Sequence, residues 1–409
     1  MSIPWLVFIE SNTSGTGRLF AGLAHELGFR PVLLTSDSAR YKYAAEDGLK
    51  VIEVDTQVND ALLETCRKLA CESELAGVTS SSEYFIETAA TVASELGLPG
   101  PNPAAIRSCR DKHAQRVRLK EAGVGTPAFS AVSSKKAAVE AARRIGLPVV
   151  VKPVSGSGSV GVKLCYGVDE VAAHAGVLLR QRHNERGLPI PRRILVEEMA
   201  VGPEYSVETF GARIIGITKK HLGPLPHFVE VGHDYPAELP VDLEAAITET
   251  VSGALAALGL DWGPAHCELR VTAQGVKIIE INPRLAGGYI PELVRLAQGI
   301  NLIAESIRAT VGLAPRLDKT LNKFASLRFL LPPNEGILAS VEGLDAAGQI
   351  THIAQAQLYK TPGHELRAYG DFRDRVGHVI AVCDTSEAAR SEAQSALGMI
   401  RLNVNTIPN

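Results

Sequence analysis

The stretch PVVVKPVSGSGSVGVKLC, Pro148 to Cys165, places a lysine at the end of an apolar run and three glycines soon after it. Gly156, Gly158 and Gly161 spell G-x-G-x-x-G, the spacing of a dinucleotide fingerprint. That fingerprint needs a strand before the glycines and a helix opening among them, so that the helix N-terminus faces a pyrophosphate. Val149 to Val151 supplies the strand, but Val160 to Tyr166 alternates and reads as a second strand. A Walker A loop fails as well, because Val162 rather than lysine follows Gly161. Two readings survive from this segment alone. It is a glycine-rich hairpin tip whose backbone N–H groups cover phosphates, with Lys152 at its base, or it is a mobile Gly/Ser linker.

Toward the N-terminus, short apolar runs alternate with helical patterns. Trp5–Ile9, Pro31–Leu34, Val51–Val54 and a run beginning at Gly77 read as strands. Leu19–Leu27, Leu62–Leu75 and Glu83–Leu96 read as helices. This order predicts an α/β domain with a parallel sheet and right-handed crossovers. Gly97 to Pro103 is a turn-rich boundary, and a basic helix is expected over Ala104–Glu121, its charge a solvated face. Further on, Arg180–Arg193 is a polar loop and Ile194–Phe210 holds two strands around Val201-Gly202-Pro203. Helices are expected over Leu243–Leu258, Pro291–Thr310 and Ser386–Ile400.

The segment HCELRVTAQGVKIIEINPR, His266 to Arg284, carries the most specific chemistry. Two alternating runs flank Ala273-Gln274-Gly275, which suits a three-residue hairpin loop with Thr272 opposite Val276. Counting outward, Glu268 faces Glu280 with Cβ atoms roughly 5 Å apart, and Asn282 shares their face. Two opposed carboxylates repel, and an amide cannot neutralise them. Two carboxylates and an amide carbonyl are hard oxygen ligands suited to Mg²⁺ or Mn²⁺ completed by phosphates. Arg284 is then a candidate for stabilising a transferring phosphoryl group.

The chain of 409 residues has room for two or three domains, and its net charge of −3 offers no global attraction for nucleic acid or an anionic membrane. The apolar start, Ile3–Ile9, is too short for a membrane span and lacks a basic leader. Six scattered cysteines without C-x-x-C predict reduced, mostly buried thiols in a cytoplasmic protein. His221, His227 and His233 recur every six residues, but Pro224 and Pro226 exclude a shared helical face for zinc.

Taken together, these motifs resemble the ATP-grasp superfamily of carboxylate–amine and carboxylate–thiol ligases, over most of the chain and in the expected order. The resemblance implies an α/β fold, α+β in the grasp lobes. A Rossmann-like pre-ATP-grasp domain over residues 1–103 would precede a two-lobed ATP-grasp domain over 104–315, with a mobile lid at about 126–196. A small C-terminal α+β closing domain would span 316–409. It implies ATP and Mg²⁺ (or Mn²⁺) as cofactors. Lys112 and Lys152 match the phosphate-binding lysines, and Ser155, Gly156, Ser157, Gly158 and Gly161 the loop that closes over the phosphates. Glu197, Glu198, Met199 and Ala200 would border the adenine, and Glu204 the ribose. Glu268, Glu280 and Asn282 match the metal ligands, and Arg284 and Lys152 would be catalytic.

Within the superfamily the similarity is greatest to the dipeptide-forming L-amino acid ligases. It is carried by Pro226–His233, Ile281–Gly288, Leu330–Gly336 and Pro362-Gly363. That resemblance implies small-molecule carboxylate and amine substrates, joined through an acyl phosphate with release of ADP and phosphate. Glu230, His233, Arg284, Gly287 and Gly288 would line the substrate site, with Glu230 and His233 holding an amino acid's ammonium or positioning the nucleophile, or else forming a local structural hydrogen-bond network. Gly288, with no side chain, is expected to admit a larger acceptor. A homodimer is carried over from similar proteins. An ATP-grasp carboxylase or carboxylating ligase and a non-catalytic ATP-binding regulator are the alternative functions.

Overall fold

The computed structural model describes residues 2–13 and 15–406. Its N-terminal sheet has four parallel strands in the spatial order Lys50–Glu53, Arg30–Thr35, Trp5–Ile9, Leu75–Thr79. The strands are apolar on both faces because both faces are covered. Val7, Ile9, Val32 and Leu34 pack on the helices Asn59–Glu72 and Ile86–Glu95. Leu6, Phe8 and Leu33 pack on Thr16–Glu26 and on Ile307 of the distant helix Leu302–Thr310.

The lid is a four-stranded antiparallel sheet in the order Phe129–Val132, Ile194–Glu198, Val149–Pro153, Lys163–Cys165. Two helices, Lys135–Ile145 and Val168–Leu178, cover one face. The second strand of the glycine hairpin is shorter than its alternation predicts, since residues 155–161 are loop.

The floor beneath the lid is an eight-stranded antiparallel sheet. Its order is Gly275–Asn282, Pro264–Thr272, Glu204–Phe210, Arg213–Leu222, Glu230–Tyr235, Phe324–Leu330, Gly377–Cys383, Ile353–Leu358. The last three strands lie beyond residue 315, yet they extend the same sheet through pairs such as His233↔Leu327. Only Gly336–Glu342, Glu365–Leu366 and Arg401–Asn405 form a separate small sheet.

Two helices predicted as continuous are broken, each by a capping residue. Asp111 is extended and its carboxylate accepts from the N–H groups of His113 and Ala114, so a new helix, Lys112–Glu121, starts there. The Pro291–Thr310 pattern stops at left-handed Gly299 and restarts after Asn301, whose side chain accepts from Ala304 N–H. The predicted Leu62–Leu75 helix ends at Glu72, and Leu75 begins the fourth parallel strand.

The hairpin of Glu268 and Glu280 differs from the expected register. The turn is two residues, with Thr272 paired to Gly275 and Val271 to Val276. That register alone would set Glu268 opposite Ile279. A bulge at Ile279 shifts the pairing, and beyond it Glu268 faces Glu280 and His266 faces Asn282. The expected pair is therefore present, produced by a shorter turn plus one extra residue.

Candidate active site

The bulged strand Gly275–Asn282 is a sheet edge, and one face of the helix Lys112–Glu121 covers it. Gln115 donates to Ile281 C=O at 2.8 Å and accepts from Ile281 N–H at 2.9 Å. Fully buried Arg116 donates to the carbonyl of the bulged Ile279. Lys112, one helical turn away, donates to Glu280 Oε1 and to Gly156 C=O, both at 2.7 Å. Positions i, i+3 and i+4 of one helix thus hold three successive residues of the strand.

The cleft between this floor and the lid brings together the residues expected at the nucleotide. Lys112, Lys152, Ser155–Gly158, Glu197–Ala200, Glu204, Glu268, Glu280, Asn282 and Arg284 all line it. Gly161 sits behind the loop against Pro153 and Leu178. Gly158 has φ +64, and a Cβ there would lie 2.5 Å from Phe372, so the loop tip docks on the C-terminal segment.

Several of these side chains do more than the motifs imply. Lys152 pairs with Glu197 at 2.5 Å, and Glu197 also pairs with Arg116 at 2.7 Å. Burial pushes the Lys152 ammonium below its usual pKa, with Glu197 pulling the other way. The Glu197 carboxylate is 3% exposed and holds two cations, so it is not free to read an adenine edge. Its burial favours the neutral acid, but Arg116 and Lys152 outweigh this and keep it ionised. Glu198 accepts from Lys277 at 2.8 Å and from Ala128 N–H. Glu204 is held by Arg270 at 2.8 Å and by Lys220 at 3.0 Å.

Lys220 is the group that sequence reasoning missed most conspicuously. Its buried ammonium reaches Glu230 at 2.6 Å, Glu204 at 3.0 Å and Glu268 at 3.3 Å. Burial works against its charge, yet the three carboxylates raise its pKa well above the ordinary lysine value. Its only sequence signal is the spacing of Thr218 and Lys220 on one face of an alternating strand. Glu83 was also missed. It receives Arg284 at 2.7 Å and also Arg110, and these cations overcome burial to hold it far below the usual carboxylate range.

The donor set at the hairpin fits a hard divalent cation. Glu268 and Glu280 face each other, Asn282 lies beside them in the cleft, and each carboxylate is partnered by a lysine, Lys220 or Lys112. Among the described residues no cluster of three His, Cys, Asp or Glu side chains is placed to hold a metal, so the amide of Asn282 is needed to complete the set. His266 bridges Glu208 at 2.8 Å and Glu268 at 3.0 Å. Burial opposes its charge, but the two carboxylates push its pKa up to about 9.

The nucleotide cleft opens, past Ser157–Ser159, Phe228, Glu230 and Arg284, into a second cavity of about 510 Å³. Its walls come from the N-terminal sheet (Thr13, Ser80–Tyr84), the lid loop (Glu185, Arg186), the floor and the C-terminal segment (Phe372, Arg375). Glu230 enters it already paired with Lys220 and with Arg375, both at 2.6 Å. His233 faces Gly288 C=O at 3.0 Å and Glu230 at 3.2 Å; burial pushes its pKa down and outweighs the pull of Glu230. The expectation for Gly288 needs correction. A Cβ there would lie 2.7 Å from His233 Cε1, so the missing side chain makes room for His233 rather than for an acceptor. At Gly287 a Cβ would meet nothing within 4 Å.

A family model described as ATP-grasp domain matches residues 145–292, and one described as ATP-grasp N-terminal domain matches 22–100. A third, L-amino acid ligase C-terminal domain 2, matches 328–405. The chain belongs to the ATP-grasp superfamily of ATP-dependent ligases, with the C-terminal domain of the L-amino acid ligases. It is 38% identical over 400 residues to an uncharacterized protein, y4rH, of Sinorhizobium fredii, covering 98% of this chain and 83% of that one. It is 28% identical over 285 residues to carnosine synthase 1 of Gallus gallus. That match takes in 64% of this chain but only 31% of the synthase. The fold matches the crystal structure of an L-amino acid ligase from Bacillus licheniformis with TM-score 0.80 and 20% identity, over 99% of this chain and 100% of that one. Among the described residues no helix is long and apolar enough to cross a membrane.

Proposed function

We propose that this protein joins a carboxylate, an amino acid or amino-acid-like acid, to an amine at the expense of ATP, releasing ADP and phosphate. The observation that carries this reading is the continuity of the two cavities. A cleft built for phosphates and a cation opens, at Arg284 and Glu230, into a second chamber large enough for two small organic substrates. The similarity to L-amino acid ligases and carnosine synthase supports the same class of products.

In this reading a substrate carboxylate oxygen attacks the γ-phosphorus of ATP, and the bond to ADP breaks. The amine nitrogen then attacks the acyl carbon of the acyl phosphate, phosphate leaves, and the amine proton leaves with it to solvent or phosphate. Mg²⁺ at Glu268, Glu280 and Asn282 would neutralise phosphate charge when bound. Lys112 and Lys152 place positive charge beside the phosphates, and Arg284, aimed by Glu83, supplies it at the mouth of the acceptor cavity. The Ser155–Gly161 loop, docked on Phe372, excludes water that would hydrolyse the acyl phosphate. With its carboxylate already neutralised, Glu230 positions Lys220, Arg375 and His233 rather than capturing a substrate ammonium.

Phosphate release from MgATP across pairs of amino acids, with mass spectrometry of the product, tests this. Release should require both an acid and an amine, and the product mass should be their sum less one water. Glu280→Gln should lower turnover about a hundredfold or more. Bicarbonate-dependent release with no amine would point instead to a carboxylase. Light scattering settles whether two chains associate, as the resemblance leads one to expect.

A further inference from the structure

Three arginines reach the acceptor cavity: Arg284, Arg375 and Arg186. Two are committed to carboxylates of the protein itself, Arg284 to Glu83 and Arg375 to Glu230. Arg186 is not. Among the described residues it makes no ion pair, and its guanidinium donates only to neutral oxygens, the Ser11 carbonyl and, at 3.5 Å, the Tyr41 hydroxyl. A guanidinium carries five N–H donors in a planar fork matched to a carboxylate, and these two oxygens leave donors over.

The position of Arg186 is built rather than incidental. Its loop leaves the lid after Leu178 and returns at Ile194, and the Asn184 side chain shapes it by accepting from the N–H groups of Arg186 and Leu188. The loop is strapped to the N-terminal domain, where Tyr84 donates to Glu185 at 2.5 Å and Arg40 donates to the Arg186 carbonyl at 3.4 Å. Tyr84 directly follows Glu83, the partner of Arg284. The loop therefore delivers Arg186 to the same cavity wall that orients the arginine at the reacting centre.

We propose that Arg186 is a specificity-determining residue of the acceptor site. It pairs with a carboxylate on the amine substrate, and the acceptor class is accordingly an amino acid or another amine that carries a carboxylate. The inference rests on the ligase reading above and names its second substrate. A carboxylate entering this cavity meets one cation not already neutralised by the protein. An uncharged amine leaves Arg186 on its neutral oxygens and gains nothing from it. Hydrogen bonds to charged groups contribute more than neutral ones, enough for a preference of about ten- to a hundredfold.

The test fixes the acid partner in excess with saturating MgATP and compares acceptor KM for amino acids and the matching amino acid amides. Wild type, Arg186→Gln and Arg186→Lys are measured side by side, with thermal melts to confirm that each is folded. Wild type should favour the carboxylate form by about ten- to a hundredfold. Arg186→Gln should abolish that preference by raising KM for the amino acid alone, leaving KM for the amide and for ATP unchanged. Arg186→Lys should retain part of it. Equal loss toward acid and amide, or a wild type indifferent between them, overturns the assignment. If no acid–amine pair is ligated, the ligase reading fails separately. The assignment is then decided by calorimetric titration of the same amino acids and amides into the MgADP-loaded wild type and Arg186→Gln. A carboxylate preference that vanishes in the variant supports it, and the absence of such a preference overturns it.

Discussion

On the nucleotide side of the cleft, every lining cation among the described residues has a carboxylate partner: Lys112 with Glu280, Lys152 with Glu197, Arg270 with Glu204, Arg284 with Glu83. All but Arg284 and Glu83, which sit in loops, lie on strands or one helix, and the groups are largely buried. The acceptor side is assembled from loops, strand ends and helix faces of four separate regions, is rich in hydroxyls, and among the described residues keeps Arg186 without a carboxylate. The difference follows from what each side meets. A triphosphate with its metal is a fixed ligand of high charge, so its site can be preorganised and charge-balanced in advance. Organic substrates vary, and the proposed site for them includes loops such as the one carrying Arg186, which can vary without disturbing the sheet.

Behind both sides, Lys220 ties Glu204 and Glu268 of the nucleotide cleft to Glu230 at the mouth of the second cavity. Lys220→Met should therefore be the most damaging change, leaving each of three buried carboxylates short of one counter-charge, with Arg270, Arg375 and His266 left to hold them, and costing about 4 kcal/mol. Added MgCl₂ should restore part of the melting temperature, because a cation at Glu268 relieves the same repulsion. A melt insensitive to Mg²⁺ would show that the two sides are not linked through this ammonium.

Arg116→Met sharpens the contrast from the nucleotide side alone. It frees the bulged Ile279 carbonyl and half of the Glu197 network, and should destabilise by about 3 kcal/mol. The Mg²⁺ concentration needed for ATP binding should rise while acceptor KM holds. An unchanged Mg²⁺ requirement would mean that the bulge maintains itself.

The smallest effect is expected behind the acceptor side. His378 packs against Tyr289, next to Gly288, with ring centroids 4.2 Å apart and the planes tilted by 36°. It accepts from Tyr359 and donates to Gln355. Burial pushes its pKa down to about 4. The unfolded chain, with an ordinary histidine pKa of about 6.5, binds more protons than the folded one between those values. Stability should therefore rise with pH across that window, and His378 should account for a loss of about 2 kcal/mol at pH 5 relative to neutral pH. His378→Gln should flatten that slope; a variant with an identical slope would assign the acid sensitivity elsewhere.

The nucleotide side was legible because its chemistry is local in the chain. Lys152 with its glycines, the Glu197–Glu204 hinge, and Glu268, Glu280 and Asn282 each lie within a few residues of one another or across a single hairpin. The alternation of strands and helices likewise announced the parallel N-terminal sheet. Even there the turn is two residues rather than three, and the bulge that makes up the difference falls at the adjacent Ile278 and Ile279, where the alternation of the run breaks.

The amino-acid order by itself thus determined the superfamily, the glycine hairpin, and which side chains are the candidates for phosphate and metal, since short motifs in a fixed order carry them. Only the tertiary structure decided that Glu83 aims Arg284, that Gly288 yields its space to His233, and that Lys220 binds three carboxylates. It alone brought Arg186 from the lid to a wall made by residues 11, 41 and 84. Such contacts join segments up to 201 residues apart, as Glu83 and Arg284 are, and they exist only once burial has removed the water that would otherwise screen and solvate each charge.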